Sequence, residues 1–234
     1  MKKLVLIGGG DVGRGNSLYE TDAIDKKIVE LTNKDNPNFL FIGLASSFSD
    51  SYYDTMKKIY KNLGCTCVYL KKKNILNNRD IVEKKISEAD IIYFCGGDTI
   101  KLVNDLKAYD LVSLLRDAYN KETVLVGMSA GAIMLSREGY SDSLKLRGES
   151  DKYTFVDGLN FIDVAICPHY NDISKKKDLK IDLINTDKKI YSLDDGIALI
   201  SIDSKISFIK SKNNSKAYFV YYSKNEYKEQ KCVD

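Results

Sequence analysis

A serine flanked by two glycines stands where an apolar strand is expected to run into a helix. In Gly127-x-Ser129-x-Gly131 the small residues allow a sharp turn, so the Ser129 hydroxyl can stand clear of the sheet. The next helix points its first amides at the same spot. The pattern predicts a nucleophilic serine, with the N–H of Ala130 holding the oxyanion that forms on a carbonyl. The competing interpretation makes Ser129 only a helix N-cap.

A nucleophilic serine needs a base, and His169 is the only histidine in the chain. It follows the apolar segment 164–167, so it is expected at a strand end rather than in a helix or a polar tail. Ligand crevices form at the carboxyl ends of strands in α/β sheets. We therefore predict His169 as the general base for Ser129, although a lone histidine can also be a surface or core residue.

The third member of such a group is a carboxylate that orients the imidazole and stabilises its charged form. Asp142 follows the helix after the serine and precedes His169, and it is our candidate. Asp151, Asp157 and Asp163 are rivals that spacing alone does not exclude.

A second glycine loop lies at residues 95–99, just after the strand expected at 91–94. Glycine lets the backbone approach a ligand closely, so an amide of this loop can supply the second oxyanion donor. The alternative is a tight strand-to-helix turn that Asp98 or Thr99 caps.

Apolar runs and amphipathic segments alternate through the first half of the chain. Such strands, apolar on both faces, belong in a parallel sheet covered by helices on each side. The expected strands are 4–7, 39–44, 67–70, 91–94 and 123–127, and the expected helices are 22–32, 51–63, 80–89 and 102–119.

After about residue 150 the rhythm changes to strands joined by short turns. We expect these to be an antiparallel C-terminal extension of the same sheet. The fold class is thus α/β, a doubly wound and mostly parallel sheet flanked by helices. The expected later strands are 164–167, 190–193, 197–202, 206–209 and 218–222.

The composition fits one folded domain, 1–234, with 44% hydrophobic and 29% charged residues. A net charge of only +3 with scattered lysines predicts neither a nucleic-acid nor a membrane partner. The apolar run after the first three residues ends at Gly8, too short for a signal peptide or a membrane span. Five cysteines without an export signal predict reduced thiols and a cytoplasmic location. With one histidine to join them, we expect no metal site, and the predicted chemistry needs no cofactor.

Three motifs in order give the chain a family resemblance: Gly127–Ala132, the upstream Gly96–Thr99, and the downstream Pro168–Asn171. From Leu4 to about Ile200 the chain resembles the peptidase E (aspartyl dipeptidase) and cyanophycinase family of serine peptidases. That resemblance implies a fold similar to the class I glutamine amidotransferases, with serine where those enzymes carry cysteine. It also implies short peptides as substrates and leaves a homodimer open as the assembly.

Carried over by position, the resemblance implies Ser129 as nucleophile, His169 as base and Asp142 as the acidic member. It implies Gly97 and Ala130 as the oxyanion-hole amides.

Two further carboxylates are candidates for substrate binding. Asp98 lies in the upstream glycine loop. Asp195, in the turn Asp194-Asp195-Gly196, resembles a family turn near the site, where a carboxylate can meet the α-amino group of a substrate. Family members that favour N-terminal aspartate carry arginines after the histidine segment, whereas this chain has lysines between Lys175 and Lys180. Lysine does not reproduce the bidentate fork of arginine, so a strict preference for Asp-Xaa dipeptides does not follow.

Three other classes of protein compete with this interpretation. Gly8-x-Gly10-x-x-Gly13 matches a dinucleotide fingerprint, with Glu30 as the acidic residue, but that residue belongs at the end of the second strand. An esterase or amidase shares the serine turn, although the usual α/β-hydrolase histidine lies much farther along the chain. The third alternative is a non-catalytic member of the fold that binds a small molecule.

Overall fold

The computed structural model describes residues 1–47, 49–184 and 186–233. Its strands are β1 Lys3–Ile7, β2 Asn38–Ile42, β3 Thr66–Leu70, β4 Ile91–Phe94, β5 Val124–Met128, β6 Ser136–Ser141, β7 Thr154–Asp157, β8 Ile162–Cys167, β9 Lys189–Leu193, β10 Ile197–Ile202, β11 Lys205–Lys210, β12 Ala217–Ser223 and β13 Glu226–Lys231. Its helices are α1 Asp22–Glu30, α2 Ser49–Asn62, α3 Lys72–Asn77, α4 Arg79–Ser87, α5 Thr99–Ala108, α6 Val112–Asn120, α7 Ala130–Leu135, α8 Ser143–Leu146 and α9 Ile173–Asp182.

The first sheet has the strand order β11-β10-β1-β5-β4-β2-β3. β1, β5, β4, β2 and β3 run parallel to one another, while β10 is antiparallel to both β1 and β11. Strands β1, β4 and β5 are buried along their whole length, and apart from Lys3, whose Nζ donates to the carbonyl of Leu31, they carry no charged residue on either face. The predicted α/β class with a mostly parallel sheet is confirmed, and the carboxyl ends of β1, β4 and β5 meet at one edge.

The late strands do not all extend the first sheet, as the sequence pattern had suggested. Only β10 and β11 do so; a second sheet has the order β13-β12-β9-β8-β6-β7. In it β8 pairs in parallel with both β6 and β9. This sheet has a separate apolar cluster that includes Tyr140, Tyr170, Leu179, Ile190 and Val220. Alternation along single strands carries no information on which sheet a strand joins.

The helix expected at 102–119 is two helices, α5 and α6. Asp110 between them adopts a φ of 51°, a left-handed conformation that a continuous helix does not contain. All five cysteines are free thiols. None of the helices in the described part of the chain is long and apolar enough to cross a membrane.

Candidate active site

Ser129 sits at a sharp turn between β5 and α7. Its φ of 52° and ψ of −108° are strained for a residue with a side chain, and its N–H donates to the carbonyl of Ile7 at 3.0 Å. A Cβ on Gly127 would lie 2.2 Å from the carbonyl oxygen of Gly131, and a Cβ on Gly131 would lie 2.5 Å from the carbonyl oxygen of Phe94, so neither position has room for a side chain. The Ser129 side chain makes no capping hydrogen bond to the helix, so capping does not explain it.

His169 is held at the end of β8 by the loop that follows β1. Its N–H donates to the carbonyl of Gly8 at 3.0 Å, and its φ of 55° turns the ring away from the strand direction. The N–H of Tyr170 then donates to the carbonyl of Leu193 at the end of β9. Backbone bonds to both sheets thus fix the position of the histidine.

The Ser129 and His169 side chains meet as the sequence predicted. His169 Nε2 lies 2.8 Å from Ser129 Oγ, and Nδ1 lies 2.7 Å from Asp195 Oδ1. Both ring nitrogens are therefore engaged, one by a hydroxyl and the other by a carboxylate. This line of three groups is the geometry that an activated serine requires.

The carboxylate in this line is Asp195, so the prediction that Asp142 would contact His169 is wrong. Asp142 precedes helix α8 and lines the cleft into which Ser129 and His169 also face. Both ring nitrogens of His169, however, already have other partners. The physical reason lies in the second sheet. Because β8 and β9 are parallel neighbours with Cys167 opposite Ser192, the residues after each strand reach the same edge.

Asp195 is fixed by Asn171 in addition to His169. Asn171 Nδ2 donates to Asp195 Oδ2 at 3.1 Å, and Asn171 Oδ1 accepts from the Asp195 N–H at 2.9 Å. Burial opposes ionisation of Asp195, but its bond to His169 and the contact with Asn171 hold the pKa of the carboxyl below its usual value. The sequence-based interpretation missed Asn171, which follows the histidine by two positions.

The glycines after β1 make room for these groups. A Cβ on Gly9, whose φ is 154°, would lie 2.0 Å from Asp195 Oδ1 and 2.4 Å from the His169 ring. A Cβ on Gly8 would lie 2.4 Å from the Asp194 carbonyl oxygen, and Gly10 has a φ of 124°. The glycines of the Gly8-x-Gly10 spacing thus have an explanation that involves no dinucleotide. Glu30, the acidic residue of the dinucleotide interpretation, lies in α1 and not at the end of β2.

The two predicted oxyanion donors flank the serine. Gly97 lines the cleft beside Ser129, and its φ of 140° together with a Cβ position 2.3 Å from the Ala45 carbonyl oxygen requires glycine. Ala130 is the first residue of α7, so its N–H has no acceptor within the helix. Their roles in catalysis remain predictions.

Asp98 has structural partners instead of a place in the cleft. Its Oδ1 accepts from the N–H of Lys101 at 3.0 Å, capping α5, and its Oδ2 accepts from Arg147 Nε at 2.6 Å. It is not among the residues that line the cleft at Ser129. The prediction that Asp98 binds substrate is therefore not supported, and the capping alternative describes its contacts.

The cleft at Ser129 has a volume of about 310 Å³. Its carboxylate, guanidinium and imidazole lining groups are Asp11, Arg14, Asp142 and His169. Among the described residues, no group of three or more His, Cys, Asp or Glu side chains is arranged to hold a metal ion. The cleft therefore offers both signs of charge around one nucleophile.

The lysines after His169 face a different cavity. Lys176, Lys177 and Lys180 line a space of about 520 Å³ with Tyr170 and Asp194. Lys175 is buried, with 2% of its surface exposed. None of these lysines lines the cleft at Ser129.

Ser129 and His169 form a hydrogen-bonded pair at the carboxyl edge of a parallel sheet. Together with the family to which the chain is similar, this pair identifies a serine-type peptidase. The chain belongs to Peptidase family S51, which it matches over residues 4–209. The predicted resemblance and the serine-peptidase class are thereby confirmed.

Individual relatives are similar over different lengths. The uncharacterized peptidase YgaJ of Bacillus subtilis is 29% identical over 230 residues, 97% of this chain and 95% of the relative. Peptidase E of Haemophilus influenzae is 32% identical over 92 residues, 39% of each chain. The crystal structure of a peptidase from an acI-B1 Actinobacterium matches with a TM-score of 0.73 at 22% identity, covering all of this chain and 94% of the other.

Proposed function

We propose that this serine peptidase hydrolyses short peptides of dipeptide size through Ser129, His169 and Asp195. The observation that carries the proposal is the continuous line from Asp195 Oδ1 through the imidazole to Ser129 Oγ, with steps of 2.7 and 2.8 Å. Both distances are within hydrogen-bond reach.

In the proposed reaction Ser129 Oγ attacks the scissile carbonyl carbon while its proton passes to His169 Nε2. The imidazolium then gives that proton to the leaving amine, and an acyl ester remains on Ser129. His169 next takes a proton from water, whose oxygen attacks the ester carbonyl. The imidazolium then returns that proton to Ser129 Oγ as the C–Oγ bond breaks, which releases the acid and restores the free serine and the neutral histidine. Asp195 accepts from Nδ1–H throughout, which selects the tautomer with a free Nε2 lone pair and stabilises the imidazolium.

The oxyanion formed in each step lies beside Gly97 and the start of α7. We assign its stabilisation to the N–H groups of Gly97 and Ala130. Gly97 adopts a backbone conformation that requires glycine, and Ala130 is the first residue of helix α7. The α7 dipole adds a favourable potential at the same point.

One feature supports a short substrate, and another supports a peptide. The volume of about 310 Å³ lies at the lower end of the range for small-molecule sites. Peptidase E of Haemophilus influenzae, a protein named as a peptidase, is similar to part of this chain, which favours a peptide as the substrate. Since Asp195 is engaged by His169, we transfer the expected recognition of the substrate amino group from Asp195 to Asp142, whose carboxylate lines the cleft.

Hydrolysis of free dipeptides, followed by mass spectrometry, tests the proposed chemistry. We expect the wild-type protein to release both amino acids and Ser129→Ala to lower kcat by a factor of about 10³ or more. Ser87→Ala is the matched control, because Ser87 is exposed at the end of α4 and lies away from the cleft. A Ser129→Ala enzyme with more than a tenth of the wild-type rate would contradict the assignment of the nucleophile.

Comparison of free with N-acetylated dipeptides tests the recognition of the amino group. Acetylation removes the ammonium that we place against Asp142, so we expect kcat/KM to fall about 10- to 100-fold. Asp142→Asn should abolish that difference. Equal rates on both kinds of peptide would indicate an endopeptidase or an esterase instead.

A further inference from the structure

The loop between β1 and α1, residues 11–20, folds back on itself beside the cleft. Val12 and Tyr19 form an isolated antiparallel bridge at its base. The Tyr19 hydroxyl donates to the buried carboxylate of Asp25 at 3.0 Å, which ties the loop to the body of the protein. The 11–20 loop is therefore a short, anchored hairpin.

Arg14 lies near the tip of this loop and against the wall of the cleft. Its guanidinium carbon is 5.0 Å from the centre of the Tyr52 ring. Tyr52 is itself fixed, because it stacks on Phe41 and its hydroxyl donates to Met128 Sδ at 2.9 Å. Met128 directly precedes Ser129, so the surface that carries Arg14 is continuous with the nucleophile.

The positive charge of Arg14 also acts on a thiol beside the cleft. Burial raises the pKa of the Cys95 thiol to about 12, and the positive charge of Arg14 partly opposes that rise. Cys95 is the first residue of the 95–99 glycine loop, whose Gly97 we assign to the oxyanion hole. The Arg14 charge therefore acts close to the carboxyl end of β4.

The charge of Arg14 has no ion-pair partner among the residues that the structure describes. Throughout residues 1–47, 49–184 and 186–233 its guanidinium forms no ion pair and no hydrogen bond, although most other arginines of the chain are paired with carboxylates. Beside His169, it is the only basic group that lines the cleft within this described part. A stacked guanidinium keeps its N–H edge available for a ligand and loses little conformational freedom when it binds one.

We propose that Arg14 binds a carboxylate of the substrate by two parallel N–H···O hydrogen bonds. The proposal rests on the proposed function and adds an acidic group to the substrate class. Two sources share this chemistry: the C-terminal carboxylate of a dipeptide and an acidic side chain. With Asp142 for the ammonium and Arg14 for the carboxylate, the cleft matches a dipolar peptide.

The lysines after the histidine do not serve this purpose. Lys176, Lys177 and Lys180 face the neighbouring cavity and Lys175 is buried, so a preference for acidic substrates has to come from a basic group in the cleft itself. Arg14 supplies the bidentate fork that those lysines lack.

Four peptides separate the two sources: Ala-Ala, its C-terminal amide, Asp-Ala amide and Asn-Ala amide. For Arg14→Ala we expect kcat/KM on the recognised carboxylate peptide to fall about 10- to 100-fold, mainly through KM, with little change on its neutral partner. Loss on Ala-Ala but not its amide assigns the C-terminal carboxylate, and loss on Asp-Ala amide but not Asn-Ala amide assigns the side chain. Arg14→Lys should recover part of the loss.

Arg116→Ala is the matched control, because Arg116 also stacks on an aromatic ring, Phe161 at 4.7 Å, but does not line the cleft. It should leave the discrimination among the four peptides unchanged. Arg14 is exposed, so its variants should keep the wild-type Tm, which is measured alongside. Equal loss on all four peptides after Arg14→Ala would overturn the proposal.

Calorimetric binding to Ser129→Ala protein separates failure of this proposal from failure of the proposed function. In one outcome the wild-type protein cleaves no peptide, but Ser129→Ala protein binds the carboxylate peptide and loses that binding when Arg14 is also replaced by alanine. Then the proposed hydrolysis of short peptides is wrong and the carboxylate site stands. If peptides bind equally with and without Arg14, the carboxylate site is wrong. If no peptide binds, both proposals fall.

Discussion

The turn that carries Ser129 and the 11–20 loop face the same cleft but are built differently. From Val124 to Leu135 every residue except Ser129 is buried, and the flanking glycines touch each other. In the 11–20 loop most residues are exposed, and Arg14 has a ring contact in place of an ion pair. The nucleophile is thus positioned by backbone packed inside the core, whereas the proposed carboxylate recognition depends on a loop with a few anchors. Substitutions in the first region should damage chemistry or folding, and those in the second should change KM.

The largest expected effect comes from the carboxylate behind His169. Asp195→Asn keeps the shape of the side chain but favours the wrong imidazole tautomer, so we expect kcat to fall by a factor of about 10³ to 10⁴. Asp142→Asn, in the same cleft but away from the ring nitrogens, should change kcat by less than about tenfold. Steady-state kinetics on a free dipeptide measures both. An Asp142→Asn enzyme as slow as Asp195→Asn would show that Asp142 also acts with His169 and Ser129 in catalysis.

Glycine substitutions compare the stability of the two regions directly. Gly127→Ala places a methyl group against the Gly131 backbone, and we expect it to lower the free energy of unfolding by about 3 kcal/mol or more. Gly15→Ala has no atom within 4 Å of its Cβ, so only its φ of 58° matters, at about 1 kcal/mol. Urea unfolding measures the two values. Similar losses would show that the loop is packed as tightly as the serine turn.

The buried anchor of the 11–20 loop should make stability depend on pH. Burial raises the pKa of Asp25 to about 6, even though three hydroxyl groups donate to it. The folded state therefore holds the proton more tightly than the unfolded state. The stability that this group contributes should fall by about 3 kcal/mol as the pH rises from 4 to 6 and stay constant above that.

Asp25→Asn removes this titration. The difference in free energy of unfolding between Asp25→Asn and the wild type should shift by about 3 kcal/mol in favour of the variant from pH 4 to pH 7. The variant also loses a carboxylate oxygen that accepts hydrogen bonds, but the part of that effect that does not depend on pH cancels when the two pH values are compared. A difference that stays the same at both pH values would contradict the raised pKa.

The sequence predicts the buried region better than the surface one, for physical reasons. Ser129 and His169 could be predicted because a nucleophilic turn needs small flanking residues and the chain has one histidine. Asp195 could be placed near the site but not assigned to His169, since that requires knowing that β8 and β9 are neighbours. Nothing in the spacing of the 11–20 loop indicates that Arg14 reaches Tyr52, because that contact joins distant segments through a loop without periodicity. The assignment of strands to two sheets was missed for the same reason.

The smallest expected effect tests whether the anchor of the 11–20 loop matters to the cleft. Tyr19→Phe removes the hydrogen bond to Asp25 but keeps the ring, so we expect a loss of about 1 kcal/mol in unfolding free energy. Because the loop carrying Arg14 becomes less well anchored, KM for the carboxylate peptide should rise about two- to fivefold while kcat stays unchanged. Tyr153→Phe is the matched control: its hydroxyl donates to Asp172 at the same 3.0 Å, but Tyr153 lies outside the 11–20 loop. That variant should lose similar stability with no change in KM. If both variants raise KM equally, the 11–20 loop is not a separate recognition element. If Tyr19→Phe lowers kcat instead, the loop helps to position Ser129 and does not act only on substrate binding.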